Sequence, residues 1–186
     1  MKIISLFLSF ILISGCAYLN YVKDPFTDIP NFHKVTETLY RGGQPKNTGF
    51  ENLKKIGIKT VLSLRRETNE SNSEKSLISG LEMNFHNIPL SIYKRPTDEQ
   101  SLQFLEIILN PKNQPVFVYC TSGRDRTGAM IALYRVVVEQ KGPKEAYKEA
   151  KNFGFWPYRG TNELKTFIHQ LRDKKIFFIK AKELTK

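Results

Sequence analysis

The chain has 186 residues, of which 40% are hydrophobic, 12% aromatic and 25% charged, with 11 Gly and 9 Pro. That balance describes one ordinary globular domain and excludes a disordered or fibrous chain. Lys and Arg number 29 against 18 Asp and Glu, a net charge of +11, and residues 141–186 alone carry 12 basic and 5 acidic side chains. Such a surplus favours anionic partners but does not choose among nucleic acid, anionic lipid and phosphorylated substrates. A merely solvated basic face is the plain alternative.

The chain opens with Lys2 and an apolar run, Ile3–Ile13, too short for the ~20 residues of a membrane-spanning helix, followed by small residues before Cys16. Ile13-Ser14-Gly15-Cys16 resembles the lipobox of bacterial lipoproteins. The resemblance implies cleavage before Cys16, a diacylglycerol on its sulfur, and a protein held on a membrane of the cell envelope, facing the periplasm or the exterior. An ordinary secretory signal with an incidental cysteine is the alternative. Residues 1–15 are then a signal peptide, 16–31 a tether containing Pro25 and Pro30, and 32–186 the domain. With Cys16 lipidated, Cys120 has no partner for an intramolecular disulfide, and a lone thiol outside the cytoplasm needs a reason.

Within the domain, Thr38–Arg41 reads as a short strand stopped by Gly42-Gly43-Gln44-Pro45, and Thr48 caps a helix that runs through Lys55 to Gly57. Lys59–Leu64 is a β-branched apolar run of strand length. Ser71–Ser79 reads as a helix closed by Gly80, and Met83–Pro89 as a further strand. Thr97 or Asp98 caps a helix with Leu102, Leu105, Ile108 and Leu109 at helical spacing. After turn chemistry at Asn110–Pro115, Val116–Tyr119 has the composition of a fully buried strand. Helices are predicted over Thr127–Gln140, Pro143–Asn152 and Thr161–Asp173, with Ile176–Ile179 either an edge strand or a helix end. Strands alternating with helices predict an α/β domain with a central, mainly parallel sheet of four to five strands flanked by helices.

The segment Tyr119-Cys120-Thr121-Ser122-Gly123-Arg124-Asp125-Arg126-Thr127-Gly128 leads from the buried strand through a loop into a helix. A loop ending at a helix N-terminus turns successive backbone N–H groups toward one spot, where the helix dipole adds positive potential. Gly123 permits the close backbone approach that such a cradle needs. A cysteine at its mouth has its thiolate favoured by the same amides, as in other activated cysteines. Arg126, returning at the helix start, presents a two-pronged guanidinium to phosphate oxygens.

These residues resemble the signature of the cysteine-dependent protein tyrosine phosphatase superfamily: Cys, five residues, Arg, then Ser or Thr. Leu39-Tyr40-Arg41-Gly42-Gly43-Gln44-Pro45 resembles an upstream motif of its compact atypical dual-specificity members, and the likeness covers roughly residues 35–170. It implies a metal-independent phosphomonoester hydrolase with a compact dual-specificity-phosphatase fold. Cys120 attacks phosphorus to form a cysteinyl-phosphate, Arg126 and the loop residues Thr121, Ser122, Gly123, Arg124 and Asp125 bind the phosphoryl group, and the Thr127 hydroxyl helps the thiolate leave. For the general acid there are two candidates. Asp98 is the carboxylate of the loop before the preceding helix, and Asp125 stands in a Gly-Arg-Asp-Arg loop similar to those of bacterial phosphatases and myotubularin-type lipid phosphatases. Asp125 is preferred, with an N-cap role the plain reading of Asp98.

Two departures from the family pattern stand out. Tyr119 occupies the position that usually holds His, and Arg124 adds a second guanidinium to the loop. With Arg65-Arg66 and Lys94-Arg95 nearby in the predicted architecture, Arg124 favours a multiply phosphorylated small molecule such as an inositol phosphate over phosphotyrosine in proteins. Trp156-Pro157-Tyr158-Arg159 is a candidate pocket wall, with packing the plainer reading. His33, His86 and His169 are scattered, no metal or other cofactor is implied, and no nucleic-acid-reading motif is present. A rhodanese-like sulfurtransferase and a non-catalytic anion-binding lipoprotein remain as alternatives; Thr127 and the Tyr40-Arg41 motif weigh against the first.

Overall fold

The computed structural model describes residues 26–46, 48–66, 69–157 and 162–185. The signal-peptide and lipidation residues, Met1–Cys16, and most of the expected tether lie outside them, as do Tyr158 and Arg159 of the candidate pocket wall.

Five strands form one sheet: β1 (His33–Lys34), β2 (Leu39–Gly43), β3 (Thr60–Ser63), β4 (Asn84–Asn87) and β5 (Val116–Cys120), in the order β1-β2-β5-β3-β4. The last four run parallel and the two-residue β1 adds an antiparallel edge, so the expected α/β class and mainly parallel sheet are what the chain adopts. β5 lies at the centre because every one of its side chains is apolar enough to be buried on both faces. Its alternation sends Val116, Val118 and Cys120 to one layer and Phe117 and Tyr119 to the other.

Helices α1 (Gly49–Lys55) and α2 (Asn69–Gly80) cover the Phe117–Tyr119 face through Phe50, Leu53 and Ile78. The opposite, larger layer holds α3 (Asp98–Leu109), α4 (Asp125–Val137), α5 (Pro143–Asn152), α6 (Asn162–Gln170) and α7 (Lys175–Leu184). The α4 helix is apolar nearly all round, with Gly128, Met130, Ile131, Leu133 and Val136 buried, because it is enclosed between β5 and the other helices.

Some boundaries differ from expectation, and open alternatives are resolved. Gly42 and Gly43 are the last residues of β2 rather than its stop. Of the two candidate N-caps of α3, Thr97 is the one used, in a reciprocal capping box with Gln100, which leaves Asp98 as the first helical residue. Gly80 is inside α2, and the left-handed residue after that helix is Glu82 (φ 55°). Ile176–Ile179 belongs to a separate helix, α7, after a 3-10 turn at Leu171–Asp173. Residues 26–31, read as the end of the tether, are packed into the domain: Ile29 is buried, Phe26 stacks on Phe32 at 4.2 Å, and the Pro30 carbonyl accepts the Gly43 amide at 2.6 Å. Pro30, Pro25 just before them, and a lack of periodicity disguised them.

Candidate active site

Loop 121–124 leaves the carboxyl end of the central strand between the ends of β2 and β3, the place where open parallel sheets leave a crevice for ligands. Gly123 sits at φ +69°, and a Cβ there would lie 2.4 Å from the Gly42 carbonyl carbon and 2.5 Å from the Gly43 nitrogen. The glycine pair ending β2 exists for the same approach, since a Cβ on Gly43 would meet the Ser122 backbone at 3.0 Å. Among the described residues no protein acceptor is found for the backbone N–H groups of Ser122, Gly123, Arg124, Asp125 or Arg126. They form an anion cradle at the N-terminus of α4.

Cys120 ends β5 at the foot of this cradle, 2% exposed and a free thiol. The Arg126 guanidinium spans the loop, donating to the Thr121 hydroxyl (3.0 Å) and the Leu64 carbonyl (3.2 Å), while its buried Nε has no partner. The fully buried Thr127 hydroxyl, on the first turn of α4, also has no hydrogen-bond partner among the described residues. Two polar atoms at the start of α4 are thus held out of water with capacity to spare, a cost of about 1–3 kcal/mol each.

The two acid candidates are placed differently. Asp125 is the first residue of α4, inside the loop, and its Oδ1 accepts the Trp156 amide at 2.9 Å. Asp98 is held by Lys174 through both carboxylate oxygens (2.8 and 3.1 Å), lining a small cleft with Arg95, Phe167 and Gln170. Arg95, in turn, is engaged by Glu163 (2.6 Å) and Gln170 (2.7 Å). The helical layer therefore already uses Asp98 and Arg95 in holding α3 to α6 and the start of α7.

Tyr119 lies fully buried with its hydroxyl donating to Glu74 Oε2 at 2.9 Å. Burial beside that carboxylate pushes its phenol well above the usual tyrosine range. Glu74 also accepts from Arg65 Nη1 (2.8 Å) and Gln44 Nε2 (2.5 Å), and the Gln44 amide bonds the Thr121 carbonyl (3.2 Å). Tyr119 thus has a polar anchor, directed to α2 on one face of the sheet. Arg65 serves that anchor; Arg66 and Lys94 are exposed.

Arg124 is exposed, with its stem lying over Gly154 (φ +83°), where a Cβ would stand 3.2 Å from Cδ. It borders a cavity of about 390 Å³ shared with Pro30, Asn31, Ser122 and Asn152. Trp156, half-exposed, and Pro157 line a separate cavity of about 320 Å³ with Tyr147, Lys151 and Lys165.

Two further residues reach the loop from distant parts of the chain. Arg41, 1% exposed, donates to the Gly123 carbonyl at 2.8 Å, and Asn31 Nδ2 donates to the same oxygen at 3.0 Å. Burial lowers the Arg41 guanidinium to about 10. Arg41 belongs to the Leu39–Pro45 motif, which by itself gives it no role, and Asn31 falls within the expected tether. Among the described residues no three His, Cys, Asp or Glu side chains converge as a metal site.

The strand, cradle, cysteine and arginine define a cysteine-dependent phosphatase. A family model described as DSP-PTPase phosphatase fused to NAD+ kinase matches residues 24–167, and the chain belongs to that family, as a phosphatase of the tyrosine and dual-specificity type. The chain is 31% identical to the OCA1 protein of Mycosarcoma maydis over 80% of its own length and 94% of the relative's. It is 27% identical to the inositol diphosphatase SIW14 of Saccharomyces cerevisiae over 82% of this chain, and 26% identical to the dual specificity protein phosphatase TpbA of Pseudomonas aeruginosa over 67%. In both cases it spans about half of the curated relative, 54% and 55%. The folds agree: the TpbA crystal structure superposes with a TM-score of 0.68 at 21% identity, covering 81% of this chain and 91% of that one. The SIW14 catalytic core gives 0.66 at 24%, covering 83% and 93%.

Proposed function

We propose that the chain hydrolyses phosphomonoesters by a cysteinyl-phosphate route, preferring small, multiply phosphorylated substrates such as inositol phosphates. The observation that carries the route is the cradle of unbonded amides closed by Cys120 at one end and Arg126 at the other. The Cys120 thiolate attacks phosphorus as the bond to the leaving oxygen breaks, and that oxygen takes a proton from Asp125. The amides and Arg126 hold the three equatorial oxygens through the transition state. Water then attacks phosphorus, gives a proton to the Asp125 carboxylate, and the S–P bond breaks with the Thr127 hydroxyl donating to the departing thiolate. Asp125 is favoured as the acid by its place in the loop, whereas Asp98 is paired with Lys174.

Asp125→Asn is expected to lower kcat by ~10²–10⁴-fold, least for substrates with good leaving groups, and Asp98→Asn to change it less than about threefold. Steady-state rates across aryl phosphates of graded leaving-group acidity measure both; the reverse ranking assigns the acid to Asp98.

Substrate preference rests on Arg124 and the cavity beside it, wide enough for a second phosphate, and SIW14 carries the name inositol diphosphatase. A second reading, protein phosphotyrosine, is supported by a TpbA structure in complex with pTyr. Phosphate release in the presence of chelator from an aryl phosphate, a phosphotyrosyl peptide and inositol hexakisphosphate separates them. Arg124→Ala is expected to cost about tenfold in kcat/KM on the inositol phosphate and little on the aryl phosphate; equal losses, or a ranking led by the peptide, defeat the preference.

The lipobox-like residues support a membrane anchor at Cys16 in the cell envelope. Among the described residues no helix is long and apolar enough to cross a membrane. Detergent-phase partitioning that is lost in Cys16→Ala is the expected result, and partitioning unchanged by that substitution excludes the anchor.

A further inference from the structure

A trans peptide is planar, so its carbonyl and the following N–H point in opposite directions. In the Gly123–Arg124 peptide the carbonyl faces inward, where two donors meet it: Arg41 Nη2 at 2.8 Å and Asn31 Nδ2 at 3.0 Å. The Arg124 N–H is thereby turned the other way, outward with the cradle. Gly123 has φ +69° and no side chain, so rotation of this peptide meets little intrinsic resistance and its direction has to be imposed from outside the loop.

The imposing group is unusual. Arg41 lies under the loop on β2, in register with Val118, with side-chain-free Gly43 two residues on at the level of Cys120. Its guanidinium packs on the Phe153 ring at 4.3 Å, its Nε and Nη1 have no hydrogen-bond partner, and no described carboxylate forms an ion pair with it. Glu149 is nearby, but both its oxygens are occupied by Arg135 Nε at 3.1 and 3.0 Å. A buried cation without an anion is a poor way to stabilise a core. Asn31, at φ 55°, ties the same assembly together by also donating to the Phe153 carbonyl at 2.9 Å.

We infer that Arg41 and Asn31 are positioning residues that clamp the Gly123 carbonyl, and so preset the catalytic-loop amides to receive a phosphoryl group. The inference rests on the reading of loop 121–126 as the phosphate cradle. The clamp acts through the loop and touches no substrate.

The test measures inorganic phosphate binding by calorimetry in full-length protein carrying Cys120→Ser, alone and with Arg41→Met, Arg41→Lys or Asn31→Ala, so that turnover plays no part. Expected are a phosphate Kd weakened about tenfold or more by R41M, a severalfold loss with N31A, and partial recovery in R41K. In the Cys120 background the same substitutions lower kcat/KM on an aryl phosphate in the same order. Unchanged phosphate affinity in a folded R41M protein overturns the clamp; if R41M fails to fold, unchanged affinity in N31A does so. Phosphate that fails to bind the Cys120→Ser protein at all, or turnover that survives Cys120→Ser, refutes the cradle reading itself and is distinguishable from either.

Discussion

Replacing Cys120 by serine is expected to abolish turnover, by roughly 10⁴-fold or more, while leaving the fold and phosphate affinity in place. The alcohol is isosteric with the thiol, so the buried end of β5 and the amide cradle above it need not move. It is also a far weaker nucleophile, because an alcohol stays protonated where a thiol can ionise. Loss of a nucleophile generally removes most of the chemical acceleration and leaves the part due to binding. Phosphate release from an aryl phosphate, with thermal melting of both proteins as the control for folding, measures it. Retention of more than about a tenth of the activity would contradict the cysteinyl-phosphate route, and the same preparation supplies the reference for the binding experiments on Arg41 and Asn31.

The second large effect is expected at Gly123. Alanine there faces two independent penalties: a positive φ of 69°, and a methyl group placed 2.4–2.5 Å from the Gly42–Gly43 peptide. The first costs about 1–2 kcal/mol for an L-residue, and the second cannot be relieved by a flexible side chain, because the obstructing atoms are backbone of β2. A total of about 3 kcal/mol or more is expected, with a fall in Tm on the order of 10 °C and activity lost through displacement of the loop. Thermal denaturation and aryl phosphate turnover check both; a G123A protein with wild-type melting and activity would mean that loop and β2 are not in contact. Ser122→Ala, in the same loop without a positive φ, is expected to melt within about 1 °C of wild type.

Much of this arrangement was readable from the chain because it is local. The alternation of apolar runs and amphipathic segments predicted the α/β class, and the Cys-to-Arg spacing between a buried strand and an apolar helix located the loop, although its helix starts at Asp125, two residues before the expected Thr127. What was not readable depends on pairs far apart in sequence. Arg41 and Asn31 meet Gly123 across 82 and 92 residues, through a backbone carbonyl that has no side chain to leave a pattern. Glu74 sits in a helix whose polar composition suggests a solvent face, yet it is 9% exposed and bonded by Tyr119, Arg65 and Gln44. Gly42 and Gly43 looked like a strand stop because glycine usually interrupts strands; here they extend β2 and make room for the loop crossing it. Sheet order was likewise outside local reach, since β5 inserts between β2 and β3 only through long-range pairing.

The segment by which the chain enters the domain also grips its catalytic loop. Pro30 bonds the end of β2, Asn31 bonds the loop itself, and the first strand begins only at His33. A pull on the preceding residues therefore meets the Asp28–Lys46 and Pro30–Gly43 bonds first and the Asn31–Gly123 bond directly after them. Entry segment and phosphate cradle form one mechanical junction, so tension that frees residues 28–30 would next be felt as slack in the active site.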